Sequence, residues 1–516
     1  MRMDMDKIES DFIRAAMSDL PKNLRGRVAV IGGVLHVSEE QRGSMELDNL
    51  VAKLRRQNVL KLEWHKPDEF GRLFTQAYGD VSRDDNEIKK YAVELIARAH
   101  LEEASDIHIT WYGPYAHVDF RIMGMLKHYE TLHGDMAFRV IACIYQTLGT
   151  QTGATFTAGL RQDGRIANRD FLPDGVFSVR IHTEPIQCAS APDGQGVFMA
   201  LRLLFDGAHA RGSLESRLTA LGFTPDQIAI VASMTERTGL NIISGPTGHG
   251  KTTFLSNVMV AMAEKWPERN HMSMEDPPEY PLDGVKQIMV SAVEILTDEE
   301  RDAAYTAAIA GALRSDMDTG MVGEIRYRSA AQAAINAALT GHAIWTTVHA
   351  TNALAIIPRF VEMGINLKSL CNPNVLSGLS YQRLIPKLCP ECKRPLRENI
   401  STLPQPTFRR LTRLLDPAAL DGVYVRGNGC DACRHRGVIG QTVAAEVIAM
   451  DWQLLQYLRE DQAGQAYTYW LNDMHGLTHV AHALKLISEG MVDPYNAEER
   501  LGVNLDFDST NNLRAS

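Results

Sequence analysis

The sequence predicts an α/β protein in which a parallel sheet flanked by helices follows an α+β region and precedes a small cysteine-bearing lobe. Three observations carry that prediction. From about residue 217 to 385, apolar strand-like runs alternate with helical patterns, as expected of a sheet covered on both faces. Inside that stretch the apolar run 240–244 leads directly into a glycine-rich loop, and a run of helical character follows at 254–259. Beyond it stand two Cys-x-x-Cys pairs separated by 37 residues.

A chain of 516 residues is too long for one ordinary core, so several domains are expected. Its 45% hydrophobic and 22% charged content is that of a folded protein rather than a disordered one. The formal net charge of −10 argues against coating nucleic acid, and no nucleic-acid partner is expected. The start of the chain lacks the apolar core of a signal peptide, and no apolar run is long enough to span a bilayer. These features predict a cytoplasmic chain that reaches a membrane only peripherally, through partners.

In chain order, residues 1–85 read as a small α/β module, with a strand at Val28-Ala29-Val30-Ile31, a turn at Gly32-Gly33 and an amphipathic pattern around 47–60. Residues 86–205 open with a helical pattern from Ile88 to Ala104 and continue into alternating strands at 117–122 and 176–181. A polar stretch at 206–216 reads as a linker, 217–385 as the α/β core and 386–445 as the cysteine lobe. Residues 446–505 carry helical pattern, and 506–516 form a polar, loose tail.

The glycine loop is Gly245-Pro246-Thr247-Gly248-His249-Gly250-Lys251-Thr252, followed by Thr253. Strand, loop and helix is the context in which backbone N–H groups and a helix N-terminus cradle nucleotide phosphates. Lys251 would reach the β and γ phosphates of ATP, and the Thr252 hydroxyl would hold Mg²⁺. Two carboxylates come after it at strand-to-loop transitions, Glu275 and Glu324; at the end of a core strand each can bind the metal's water shell or orient an attacking water. Surface roles are the alternative for either one. His342 and His349 bracket a β-rich run, and seven residues apart they would face opposite ways, one toward the γ-phosphate and the other toward a subunit contact. Cys389, Cys392, Cys430 and Cys433 offer two chelating thiolate pairs suited to tetrahedral Zn²⁺, with a redox role as the alternative. Metal binding there would stabilise a lobe expected to have little core of its own.

The ordered motifs resemble the secretion ATPases of type II secretion and type IV pilus assembly systems, over about residues 88–490. The likeness includes Ala104-Ser105-Asp106-Ile107-His108-Ile109, Gln162-Asp163-Gly164-Arg165, the glycine loop, Glu275-Asp276-Pro277, Gly323-Glu324-Ile325-Arg326, Thr340-Gly341-His342 and Thr347-Val348-His349. That resemblance implies a RecA-like P-loop ATPase core behind a PAS-like α+β domain, with a small four-cysteine zinc lobe. It implies Glu275 as general base, Glu324 as the Mg²⁺-associated acid, His342 and His349 as γ-phosphate sensors, and Arg165, Arg180 and Arg202 as arginines closing onto ATP. A surface or ion-pair role is the alternative for each arginine. It further implies a homo-hexameric ATPase acting on an inner-membrane platform protein, in pilin assembly or in type II protein export. The cysteine lobe favours assembly or secretion over retraction, and the pattern is most similar to the type IVb and plasmid thin-pilus branch. His249, Tyr327 and Ser329 depart from the family pattern. A non-hydrolysing nucleotide-gated scaffold and a DNA translocase are the readings from other classes.

Overall fold

The computed structural model describes residues 24, 28–31, 34–55, 61–66, 69, 85–150, 152, 155–191, 194–205, 212–290 and 297–507. The expected Gly32-Gly33 turn, the end of the amphipathic pattern at 56–60, linker residues 206–211 and tail residues 508–516 lie outside these. The chain forms two compact units, residues 1–204 and 205–516.

The first unit holds two sheets. Strands β1 (Val28–Ile31), β2 (Val34–Ser38) and β3 (Lys61–His65) form a three-stranded sheet beside the helix Met45–Arg55. A six-stranded sheet comes next, built from β4 (Ala104–Trp111), β5 (Tyr115–Ile122), β6 (Met125–His133), β7 (Gln162–Ile166), β8 (Val176–Gln187) and β9 (Gln195–Phe205), in the order β6-β5-β4-β9-β8-β7. In β5 every second residue is buried, which is why its alternation reads as a strand with one covered face. The helix expected from Ile88 to Ala104 is Asp85–Leu101 and stops three residues earlier. Glu103 adopts a left-handed backbone (φ 58°) that turns the chain, so Ala104 opens β4.

The second unit is organised by a seven-stranded sheet of β10 (Gly239–Ser244), β11 (His271–Glu275), β12 (Lys286–Met289), β13 (Thr319–Val322), β14 (Ala343–Val348), β15 (Leu376–Leu388) and β18 (Val438–Ala449). Its order is β12-β11-β13-β14-β10-β15-β18, with every pair parallel except β15–β18. The short strands β16 (Arg394–Pro395) and β17 (Tyr424–Val425) pair with each other in the cysteine lobe. Each residue of β10 is buried, because both faces are covered. Leu240 and Ile242 join Ile344 beneath the helices Asp298–Arg314 and Arg328–Leu339. Ile243 joins Trp345 on the opposite face, against the helix Lys251–Lys265. Capping boxes at Thr224 and Thr297 start the helices Pro225–Thr235 and Asp298–Arg314.

Strand β15 runs straight across residues 385 and 386 toward the cysteines, and β18 returns antiparallel to it, pairing Leu388 with Val438 at one end and Gly378 with Ala449 at the other. The cysteine lobe is thus an insertion between the two longest strands of this sheet. Its apolar side chains pack with those of the C-terminal helices. Leu396, Leu403, Leu411, Val423 and Val425 share one apolar cluster with Ala483, Ile487, Ala497 and Leu501 of the C-terminal helices.

Those helices are tied to the core by Glu446 of β18, which is 3% exposed. Its carboxylate accepts the Ala353 N–H at 2.8 Å and the His479 N–H at 3.2 Å, and lies 2.5 Å from His479 Nδ1. Glu446→Ala strands all three groups in a dry interior, so the urea unfolding midpoint followed by tryptophan fluorescence should fall by the equivalent of about 3 kcal/mol.

Candidate functional site

Parallel strands place their C-terminal ends on one edge, and there the structure gathers most of the groups singled out from the sequence. The glycine loop leaves β10, Glu275 is the last residue of β11, Glu324 comes after β13, and His349 comes after β14. Gly245, Gly248 and Gly250 take positive φ values of 148°, 76° and 77°, which side chains disfavour. A Cβ on Gly245 would come within 2.5 Å of the Gln382 carbonyl oxygen. Gly250 caps the helix Lys251–Lys265, whose first turn carries Lys251, Thr252 and Thr253 and presents its unpaired N–H groups to the loop.

Lys251 Nζ donates to the carbonyls of Gly245 (2.7 Å) and Pro246 (3.1 Å). Burial lowers its pKa to about 8. His349 connects loop and carboxylate: its Nδ1 lies 3.1 Å from the Gly245 carbonyl oxygen and its Nε2 3.1 Å from Glu324 Oε1. Burial, and next the Lys251 charge, lower the pKa of His349, so the neutral ring is favoured. With the Nδ1 proton donated to Gly245, a neutral His349 offers Glu324 no hydrogen. Glu324 Oε1 is accordingly buried without a hydrogen-bond donor among the described residues, while Arg326 holds Oε2 at 2.7 Å. A buried carboxylate oxygen of this kind, linked to the loop through His349, fits the oxygen-rich coordination of Mg²⁺.

Glu275 is 4% exposed. Burial raises its pKa, and hydrogen bonds from Ser273 Oγ (2.7 Å) and Gln287 Nε2 (3.0 Å) oppose that rise while fixing its position. Next to it, Asp276, Arg301, Tyr305, Glu324 and Arg326 line a small cleft of about 50 Å³. A larger cleft of about 660 Å³ lies between the helices Leu214–Leu221, Pro225–Thr235 and the end of Lys251–Lys265, and contains none of the predicted site residues.

His342 is not brought to this edge. It precedes β14, so seven residue steps separate it from His349, about 23 Å at 3.3 Å per residue. Its Nδ1 instead lies 3.0 Å from the Ala337 carbonyl oxygen and from Thr340 Oγ1. His249, a departure from the family pattern, does have a structural role. Its Nδ1 accepts the Leu384 N–H at 2.9 Å, and Gln382 Nε2 donates to its carbonyl oxygen at 2.7 Å. Burial, then Arg383, Arg500 and Lys251, lower its pKa to about 4, which keeps the ring neutral and able to accept. Sequence reasoning missed this contact, since its partner lies 135 residues away.

In the first unit, Arg165 and Arg180 are direct cross-strand partners on β7 and β8. Arg165 is buried against the Phe177 ring, 5.3 Å from guanidinium carbon to centroid, whereas Arg180 is exposed. Arg202 is engaged by the buried Asp106, with Nε 2.9 Å from Oδ1. In the lobe, Cys389–Cys430, Cys392–Cys433 and Cys430–Cys433 have Sγ separations of 3.7, 3.8 and 3.8 Å. Tetrahedral Zn²⁺ with bonds of about 2.3 Å requires sulfur edges of about 3.8 Å, so the four thiols fit that ion. Burial works to raise the Cys433 pKa, but the Cys430 and Gly437 N–H groups donating to its sulfur bring it down to about 6. Several basic residues of the lobe are already committed: Arg410 holds Glu498 through two 2.6 Å bonds, and Arg413 holds Asp506 at 2.8 Å.

Residues 81–499 match the family model described as type II/IV secretion system protein. The chain belongs to that family. The chain is 32% identical over 372 residues to "Type II secretion system protein E" of Klebsiella pneumoniae, a match spanning 72% of this chain and 67% of that protein. It is 30% identical over 371 residues to "Type IV pilus assembly ATPase PilB" of Thermus thermophilus, spanning 71% of this chain and 38% of that protein. The solved structure of the Legionella pneumophila ATPase DotB superposes with a TM-score of 0.56 at 18% identity, over 82% of this chain and 97% of that one, in keeping with a RecA-like core. Among the described residues no helix of this family member is long and apolar enough to cross a membrane.

Because Lys251 is a cation only below its pKa, phosphate affinity should be full below about pH 7 and be lost as pH rises through about 8. Titration with a fluorescent ADP analogue between pH 6.5 and 9.5 should show affinity falling toward tenfold per unit at the upper end. A lysine of ordinary pKa, about 10.4, would leave it flat across that range.

Proposed function

We propose that this chain is the subunit of a homo-hexameric ATPase motor that drives type IV pilus assembly at an inner membrane, acting on a platform protein of that machine. The chain is an ATP-hydrolysing member of its family, and the observation that supports this reading best is the edge itself. A glycine loop, a desolvated strand-end carboxylate and a second carboxylate with an unsatisfied oxygen converge there.

ATP phosphates enter the loop, and Lys251 exchanges its bonds to the Gly245 and Pro246 carbonyls for phosphate oxygens. Thr252 and Glu324 would hold Mg²⁺, which would supply charge neutralisation for the phosphates. Glu275, fixed by Ser273 and Gln287 with its pKa raised, takes a proton from the attacking water as the oxygen–phosphorus bond forms and the bond to ADP breaks. His349 senses the γ-phosphate through its link between Gly245 and Glu324. Arg165 and Arg180, cross-strand neighbours on β7 and β8, are the arginines of the first unit proposed to close onto the triphosphate. Arg202, paired with Asp106, supports that role less. His342, at the other end of β14, suits a subunit contact better than the phosphate. Cys389, Cys392, Cys430 and Cys433 would hold Zn²⁺, which would cross-link the lobe inserted between β15 and β18.

Type II protein export is the second reading, and the likeness to the Klebsiella protein fits it as the likeness to the Thermus protein fits pilus assembly. Deleting the gene and imaging surface filaments tests the choice: lost filaments support pilus assembly, whereas intact filaments with a protein missing from the culture medium support export. At the level of chemistry, Glu275→Ala and Glu324→Gln should each lower kcat by at least about 10²-fold while ADP binding stays within a few-fold. Unchanged turnover in both variants would remove them from the reaction.

A further inference from the structure

The three-stranded sheet of the first unit takes no part in the chemistry above, yet it carries a concentrated set of metal-binding side chains. Strands β2 and β3 run parallel, in a register that sets His36 opposite Glu63 and Ser38 opposite His65. Alternation divides the two strands into faces. Leu35 and Val37, with Leu62 and Trp64, enter the small apolar cluster beside the helix Met45–Arg55. His36, Glu63 and His65 therefore share the other face.

There, His36 Nδ1 lies 2.9 Å from His65 Nε2 and 3.6 Å from Glu63 Oε2. All three donor atoms lie within 4.8 Å of one another. The rings are tilted by 34°, with centroids 5.0 Å apart, so the two nitrogens converge without the rings stacking.

We propose that His36 Nδ1, His65 Nε2 and a Glu63 carboxylate oxygen form a second metal site, for a divalent transition ion of the Zn²⁺ class. Two imidazoles and one carboxylate suit Zn²⁺, Co²⁺, Ni²⁺ or Cu²⁺ better than Mg²⁺ or Ca²⁺, which prefer all-oxygen shells. Tetrahedral Zn–N bonds of about 2.0–2.1 Å need the nitrogens about 3.3 Å apart, a few tenths of an ångström more than they stand now. His36 is 8% exposed and anchors the site from inside, whereas the Glu63 side chain is 50% exposed and able to swing onto an ion arriving from solvent. Three protein ligands leave a coordination position for water. A metal is useful at this place. Among the described residues, six buried side chains form the apolar cluster of the module, and a small core of that kind gains from a cross-link between neighbouring strands.

Co²⁺ titration of the full chain, followed by visible absorption, tests the proposal. Wild type should take up two equivalents, one with the intense sulfur-to-cobalt band of the cysteine lobe and one with only weak nitrogen and oxygen d–d bands. The double variant His36→Ala/His65→Ala should lose the second and keep the first. Glu63→Gln, a change at an exposed side chain that leaves the fold intact, should weaken the second equivalent at least about tenfold. Cys389→Ser/Cys433→Ser should lose the sulfur band and keep the weak one, so failure of the cysteine site is read separately. A wild-type titration that ends at the sulfur-bound equivalent, or a Glu63→Gln titration superimposable on wild type, would reduce the cluster to a hydrogen-bonded histidine pair and overturn the proposal.

Discussion

The constraint on which the second unit depends is the complete burial of β10 between β14 and β15. Gly239 to Ser244 pair in parallel with β14 and Leu240 to Ser244 also with β15, while Leu240 and Ile242 enter one apolar cluster and Ile243 another. A strand held in this way can end only where its neighbours stop covering it, and the segment after it must satisfy its own backbone groups. In the glycine loop the Gly245 and Pro246 carbonyls accept from Lys251 Nζ, and the His249 carbonyl accepts from Gln382 Nε2. Parallel order then brings the ends of β11, β13 and β14 to the same edge. The edge is desolvated, so burial pushes Lys251 down, Glu275 up and His349 down, each toward its neutral form. Phosphate charge there would raise the pKa of Lys251 and His349 and favour their charged forms.

Strand β15 gives the loop its second support. Gln382 and Leu384 reach His249 after β10 has ended, extending the grip of the sheet beyond the last strand pair. Five residues further along the chain from Leu384 is Cys389. The wall of the nucleotide loop and the frame of the cysteine cluster are therefore one continuous piece of backbone, braced by β18 along its length. The C-terminal helices complete that frame through Glu446 and the shared apolar cluster.

Much of this was legible in the sequence, and for a physical reason. Phosphate binding by a loop and chelation by paired thiols are local demands, met by residues close together in the chain, so Gly245 to Thr252 and the two Cys-x-x-Cys pairs declared themselves. Contacts across the fold were not legible. The role of His249 depends on an N–H 135 residues away, and the partner of Arg202 lies 96 residues before it. The seven-residue spacing of His342 and His349 suggested opposite faces of a strand, whereas the deciding fact is that they sit at opposite ends of one. Arg410 of the cysteine lobe is likewise held by Glu498, 88 residues away. Strand β15 runs across the expected boundary at 385, since a long strand changes surroundings without changing its own pattern.

Hydrogen exchange of the full chain with and without Mg²⁺ and ADP tests the placement of the nucleotide edge most directly. Added protection should gather in four separate segments: residues 245–253, the end of β11 at Glu275, His349, and β15 around Leu384. Protection that instead appeared between the helices Leu214–Leu221 and Pro225–Thr235, in the larger cleft, with residues 245–253 unchanged, would contradict it.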